Sequence, residues 1–313
     1  MIDMKNGILL MGYGSPESIE DVEQYLCNIK ALHAQPNTSV VPTMEETERL
    51  EMRYKAIGGR SPFNAITERQ SRSLSSYLKS YRIEAKVYTG MLHWKPSIED
   101  AVSGMERDGV TDIIAIPMAP YYSTISTEGY RKVLKRCLAR IKSAPAVSFV
   151  KSWNINKHLI KFWEDVIATA MQHSNTDAHI IFTAHSLPAR LAEAGDPYAQ
   201  QVAETAAAVA AKAQLQDWSV AWQSVPPGST VPWLEPDVSD VIRKVAADGC
   251  DAVVVCPVGF VSDHLETLYD LDVVALKVAY SCGLLYRRCA SLDHDIRVAE
   301  TLADVINQEL SSI

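Results

Sequence analysis

Pro96-Ser-Ile-Glu-Asp100-Ala-Val-Ser-Gly-Met-Glu-Arg-Asp108-Gly109-Val-Thr-Asp-Ile113-Ile-Ala-Ile116-Pro117 lies over Pro236-Asp-Val-Ser-Asp240-Val-Ile-Arg-Lys-Val-Ala-Ala-Asp248-Gly249-Cys-Asp-Ala-Val253-Val-Val-Cys256-Pro257 without a gap, at an offset of 140. Five positions in this 22-residue window are identical: Pro96/Pro236, Asp100/Asp240, Asp108/Asp248, Gly109/Gly249 and Pro117/Pro257. Any two βα units look somewhat alike, but this density of identities favours an internal duplication. Each copy reads the same way. A helix opens after proline with an early acidic residue, as a helix N-terminus prefers. It closes at Asp-Gly, a usual C-cap. A short apolar strand follows and is stopped by proline.

A second correspondence has an offset of 172, between Gly7-Ile-Leu-Leu-Met-Gly-Tyr13-Gly-Ser-Pro16 and His179-Ile-Ile-Phe-Thr-Ala-His185-Ser-Leu-Pro188. Each is an apolar run, a polar ring residue, then proline three positions later. Uninterrupted apolar runs bounded by turn signals read as buried parallel strands. Helical patterns follow, over residues 19–32 and 198–213. The expected fold class is therefore α/β, with two doubly wound, Rossmann-like halves, each a parallel sheet flanked by helices, and a cleft between them. The halves are expected at residues 1–155 and 156–313, with the chain crossing near residues 152–162.

Composition excludes several classes of function. Of 313 residues, 47% are apolar and 22% charged, which is ordinary globular usage. The net charge of −8 disfavours a nucleic-acid partner. No stretch approaches the ~18 uninterrupted apolar residues of a transmembrane segment, and the N-terminus lacks the pattern of a signal peptide. The cysteines Cys27, Cys137, Cys250, Cys256, Cys282 and Cys289 are scattered without a disulfide-like framework, which fits a reduced, cytoplasmic setting.

In open parallel sheets, ligands bind beyond the carboxyl ends of the strands. That rule selects Tyr13-Gly-Ser-Pro16, Ala119-Pro-Tyr-Tyr-Ser-Thr-Ile-Ser126, His185-Ser-Leu-Pro188 and Gly259-Phe-Val-Ser-Asp-His-Leu-Glu266. Gly12-Tyr-Gly-Ser-Pro16 is not a dinucleotide fingerprint, because Glu17 stands where the third glycine is needed, and a P-loop is absent. A lone histidine such as His185 is most often a capping or core residue; its place at a strand end raises the functional reading. Tyr13 divides likewise between a half-buried ring and an oxygen ligand for iron. Glu266 and Asp270 are four apart, so a helix presents both carboxylates on one face. Such spacing usually marks a solvated face, but on a cleft helix it can carry a hydrated cation or accept protons. His264 could ligate, but is rather expected to orient Glu266 or cap the strand-to-helix turn.

Across essentially the full chain, the residues resemble the ferrochelatase family, and within it the monomeric bacterial branch that metallates coproporphyrin III. The resemblance rests on the Tyr13 segment, Arg53-Tyr-Lys-Ala-Ile-Gly-Gly-Arg-Ser61-Pro62, residues 119–126, Ala184-His185-Ser-Leu-Pro188, Trp222-Gln-Ser224, Pro232-Trp-Leu-Glu-Pro-Asp237 and residues 257–270, in matching order and spacing. It implies that His185 and Glu266 form the metal-entry and proton-accepting pair. It places Tyr13 on the opposite porphyrin face, able to ligate inserted iron. Arg53, Ser61 and Tyr130 are implied to bind propionates, Lys30 to do the same, and His93 to sit near the propionate end as a weaker candidate. Asp270 would extend an acidic ridge that feeds metal inward. The chain departs from some relatives at Val274, where a third carboxylate can occur.

The resemblance makes porphyrin and ferrous iron the substrates, with no resident cofactor required. Some relatives hold a [2Fe–2S] cluster; here Cys282, Cys289 and Cys137 are the only thiols to consider, Ser291 stands where a third C-terminal cysteine would follow, and four thiolates are needed, so a cluster is not expected. Tyr13 favours coproporphyrin III over protoporphyrin IX. Two other readings are a cobalt chelatase of the corrin pathway, which usually shows extra histidine near the metal, and a non-catalytic tetrapyrrole carrier, in which the acidic pair near His185 would lack a purpose.

Overall fold

A computed structural model describes residues 5–34, 40–172 and 178–311. The first half runs β1 (Asn6–Gly12), α1 (Val22–His33), α2 (Met44–Ala56), α3 (Phe63–Ser80), β2 (Ala85–Met91), α4 (Ile98–Arg107), β3 (Asp112–Pro117), α5 (Thr127–Leu138) and β4 (Ala146–Phe149). The second runs α6 (Lys157–Gln172), β5 (Ala178–His185), α7 (Arg190–Glu193), α8 (Tyr198–Ala213), β6 (Trp218–Gln223), α9 (Val238–Ala247), β7 (Ala252–Cys256), a π-helix (Glu266–Ala275), α10 (Leu276–Ser281), β8 (Leu285–Arg288) and α11 (Ile296–Ser311). The strands form two parallel four-stranded sheets, ordered β2-β1-β3-β4 and β6-β5-β7-β8. The two orders are the same order twice, which is the topology a duplication requires. The expected α/β class with two doubly wound halves is therefore present.

The repeat is visible in local geometry. Ser97 caps α4 by accepting from the Asp100 amide at 3.1 Å, while Asp237 caps α9 by accepting from the Ser239 amide at 2.7 Å. Gly109 and Gly249 close the two helices at φ +70 and +89, a conformation in which a Cβ is penalised. The Pro96 carbonyl accepts the Met91 amide at 2.7 Å, and the Pro236 carbonyl accepts the Trp222 amide at 2.9 Å. Both prolines follow cis peptide bonds. Strand β7 is buried along its whole length, as expected of a parallel strand covered on both faces. The pattern expected to be helical from residue 19 begins as a short 3-10 turn and becomes α-helix at Val22.

One apolar cluster joins the halves. Ile8, Leu10 and Leu74 of the first share it with Phe162, Trp163, Phe182 and Val254 of the second. Helix α11 ends the chain against α3. Gln70 on α3 donates to the Val261 carbonyl at 2.9 Å, and the Tyr121 hydroxyl donates to the Val258 carbonyl at 2.9 Å. These bonds tie the loop after β7, which leads to Glu266, to the first half. Among the described residues, no helix is long and apolar enough to cross a membrane.

Gly259 shows how tightly this loop is seated. A Cβ there would lie 2.6 Å from both Cα and Cβ of Ala184, immediately before His185. Gly259→Ala is expected to cost about 2 kcal/mol by overpacking and to lower Tm by roughly 5 °C. Gly104→Ala, in helix α4 where a Cβ meets nothing nearer than 3.7 Å, is expected to leave Tm unchanged or raise it. Equal melting temperatures for the two variants contradict this account.

Candidate active site

The site assembles at the carboxyl ends of β1, β5 and β6 and on the π-helix that follows β7. Tyr13 comes directly after β1, and His185 is the last residue of β5. Thr267 shapes the entry to the π-helix: its buried hydroxyl donates to the His264 carbonyl at 3.0 Å and accepts from the His264 amide at 2.9 Å. Helices that close i→i+5 rings are rare and occur mostly at functional sites. Their wider turns bring Glu266 and Asp270, four apart, nearer to eclipse than an α-helix would.

His185 and Glu266 meet as the sequence predicts. Nε2 of His185 lies 3.4 Å from one Glu266 oxygen, and Nε2 of His264 lies 3.6 Å from the other. Nδ1 of His185 points at the Ser186 carbonyl, 2.5 Å away. A carbonyl only accepts, so Nδ1 carries a proton and Nε2 faces Glu266. The Tyr198 hydroxyl donates to the His185 carbonyl at 3.0 Å. Gln223, at the end of β6, donates to the Glu266 carbonyl at 3.0 Å. Burial works against a charged His185, but the Glu266 carboxylate outweighs it and pushes the imidazole pKa up to about 9. Burial likewise opposes a charged Glu266, but His185 and then His264 hold its carboxyl well below the usual range. The pair is thus an imidazolium facing a carboxylate at neutral pH.

Tyr13 is half open, at 42% exposure, and the pKa of its phenol is raised by desolvation in the cleft and then by the Glu266 carboxylate. The ring of His93 packs edge-on against it, with centroids 4.4 Å apart, so the histidine expected near the propionate end lies buried beside Tyr13. Tyr130 is buried in the first-half core, its phenol pKa raised by burial and then by Tyr13. Ser61 is buried, and its hydroxyl accepts from the Phe63 amide at 3.2 Å.

The two expected basic ligands are occupied by carboxylates of the chain itself. Lys30 pairs with Glu46 at 2.6 Å, and Arg53 pairs with Asp270 at 2.6 Å. The second Asp270 oxygen accepts a short hydrogen bond from the Ser224 hydroxyl. Burial raises the Asp270 pKa although Arg53 opposes it. Val274, where a third carboxylate was noted as missing, is partly exposed further along the helix.

Sequence reasoning assigned no role to Gln223, Ser224, Tyr198 or Arg288. Arg288 donates to Asp272 through Nε at 2.7 Å and Nη2 at 2.9 Å, and to Asp263 through Nη1 at 3.0 Å and Nη2 at 3.2 Å. It thereby braces the segment that carries Glu266 from both sides. Ser224 has φ +66, rare for a residue with a side chain. Cys137, Cys282 and Cys289 lie in three separate apolar clusters. Among the described residues, no group of three or more His, Cys, Asp or Glu is arranged to hold a metal ion.

The family model described as ferrochelatase matches residues 5–310. A coproporphyrin III ferrochelatase of Geobacillus sp. (strain WCH70) is 38% identical over 314 residues, covering 98% of each chain. One from Bacillus pumilus (strain SAFR-032) is 37% identical, covering 98% of this chain and 97% of its own. Among solved structures, the sirohydrochlorin chelatase SirB from Bacillus subtilis subspecies spizizenii, in complex with cobalt, superposes with a TM-score of 0.57 at 12% identity over 97% of this chain and 95% of its own. CbiX, titled the terminal enzyme for biosynthesis of siroheme in denitrifying bacteria, gives a TM-score of 0.55 at 12% identity over 97% and 99%. These two likenesses speak to the fold alone.

The pair's titration can be checked by NMR of the His185 ring. The expected midpoint is near pH 9, falling in Glu266→Gln, where the carboxylate that outweighs burial is gone and only the Ser186 carbonyl and Asp270 still favour the charged ring. Because the folded value lies above the ordinary 6.5, the stability His185 contributes is present below pH 6.5 and lost as pH rises through about 9. Glu266 works in the opposite direction: its contribution is present above 4.5 and lost as acid protonates it. An unshifted midpoint in Glu266→Gln contradicts the pairing.

Proposed function

The chain belongs to the ferrochelatase family, enzymes that insert ferrous iron into a porphyrin, and we propose that its porphyrin is coproporphyrin III, which gives coproheme for haem biosynthesis. The observation that carries the chemistry is the 3.4 Å contact of His185 with Glu266, with His185 and Tyr13 at the ends of twin strands. The substrate assignment draws on the printed names of relatives that match nearly the whole chain and on Tyr13.

Metallation exchanges one dication for two pyrrole protons. In the free enzyme His185 already holds a proton, so Glu266 is the group ready to receive a cation. A dication beside Glu266 makes the imidazolium unfavourable by like-charge repulsion and drives its proton off. His185 then becomes a neutral base or ligand, and the pair can relay metal inward and accept pyrrole protons. Tyr13 stays protonated in the free cleft, and as the residue on the other face it is the group available to the inserted iron. Arg53, Lys30, Ser61 and Tyr130 are taken to bind the propionates, with Asp270 on the outer metal path. A macrocycle distorted from planarity presents its nitrogen lone pairs better, a task for the cleft walls. The same reading takes the enzyme as a cytoplasmic monomer that needs no resident cofactor.

An anaerobic absorbance assay with ferrous iron tests both parts. Coproporphyrin III is expected to give a kcat/KM at least about tenfold above that of protoporphyrin IX, since each lost charged contact is worth more than 1 kcal/mol. His185→Ala and Glu266→Gln are each expected to lower kcat by about 100-fold or more. Unchanged turnover in His185→Ala removes the relay, and a preference for protoporphyrin IX removes the substrate assignment.

A further inference from the structure

Two arginines hold the π-helix, and they do so differently. Arg288 is a strut: every one of its nitrogens donates, to Asp263, Asp272, Ser291 or the Cys289 carbonyl. Arg53 reaches the helix from α2 in the first half, and its Nη2 donates to Asp270 at 2.6 Å. Its guanidinium lies over the Tyr269 ring, 5.0 Å from the centroid. Its Nε is buried and, among the described residues, has no acceptor. A buried donor left unmatched calls for an explanation, and a guanidinium using one edge of its fork can still take a second carboxylate.

Asp270 is in turn partnered at both oxygens. Arg53 occupies one oxygen and the Ser224 hydroxyl the other. Ser224 does so from a left-handed backbone conformation at φ +66, which is unfavourable for a residue with a side chain and concentrates at functional sites. In this arrangement the Arg53 guanidinium neutralises the Asp270 carboxylate and so weakens its attraction for a cation. Asp270 lies four residues from Glu266 on the same helix, and only 15% of its side chain is exposed.

We propose that the Arg53–Asp270 ion pair is a latch that couples porphyrin binding to cation entry: a porphyrin carboxylate takes Arg53 away from Asp270, and Asp270 is then free to receive a divalent cation and pass it to Glu266. This rests on the reading above in which Arg53 binds a propionate. The latch orders the two substrates, because the cation route opens only when its acceptor is in place. Arg53 is here a positioning residue as well as a carboxylate ligand, and Ser224 holds Asp270 ready for release. By linkage the effect is reciprocal, so a cation at Asp270 strengthens porphyrin binding by the same factor.

The test is Mn2+ binding to the whole protein, read as loss of the free-ion electron paramagnetic resonance signal. It is run with and without saturating N-methyl coproporphyrin, whose blocked nitrogen prevents metallation. Wild type is expected to bind Mn2+ about tenfold more tightly when the porphyrin is present. Arg53→Ala is expected to bind Mn2+ tightly in both states, with coupling below about twofold, and Arg53→Lys to restore part of the coupling. Ser224→Ala, which leaves the ion pair in place, is expected to tighten Mn2+ binding without porphyrin. Equal Mn2+ affinity in the two wild-type states, or full coupling in Arg53→Ala, overturns the latch. Failure of the wild type to bind the porphyrin overturns the functional reading and the latch with it, whereas normal porphyrin binding with no coupling overturns the latch alone.

Discussion

An imidazolium and a carboxylate facing each other at 3.4 Å are the constraint around which the cleft is built. Neither charge is tolerable in a half-buried site without the other. Each element nearby fixes one side of that contact. Strand β5 delivers His185, the Ser186 carbonyl sets its tautomer, and Tyr198 pins its backbone. Thr267 and Gln223 hold the first turn of the π-helix, and Arg288 braces the segment on either side of Glu266. These polar contacts of the second half therefore converge on one pair of side chains.

The duplication explains why the cleft has two walls, and its decay explains why they differ. Tyr13 and His185 end equivalent strands in sheets of identical order. Glu266 answers to Ser126 at the offset of 140. Those two positions stand at the start of equivalent helices, α5 on one side and the π-helix on the other. Thr127 and Thr267, one residue further on, are both buried and both bond back to the preceding turn. Thr127 returns to Ser123 and Thr267 to His264, so the two turns differ by one residue in span. The second copy thus has a wide helix bearing Glu266 and Asp270 where the first has an α-helix that buries Tyr130.

Much of this was legible in the sequence because strands and caps are local. The five identities marked α4, β3, α9 and β7, and the apolar runs marked β1 and β5, with Tyr13, His185 and Glu266 at their exits. The helical pattern over residues 198–213 coincides with α8. What escaped had no local signal. A π-helix uses the same residues as an α-helix, so its wider turn was invisible in the spacing of Glu266 and Asp270. Arg53 and Asp270 are 217 residues apart, and no periodicity links them. Ser224 sits at the end of β6, a strand outside both repeat windows, and its positive φ is unusual for serine. Charge pairing across the cleft is a tertiary fact, and resemblance supplied the residues without their partners.

A crystal structure of this protein with coproporphyrin III bound tests most directly whether the twin strand ends hold a flat tetrapyrrole between unlike walls. The expected result is a macrocycle with the Tyr13 hydroxyl over one face and His185 Nε2 over the other, and with Arg53 on a propionate, no longer on Asp270. A macrocycle that has Tyr13 and His185 on the same face, or that binds outside the space between β1 and β5, would contradict it.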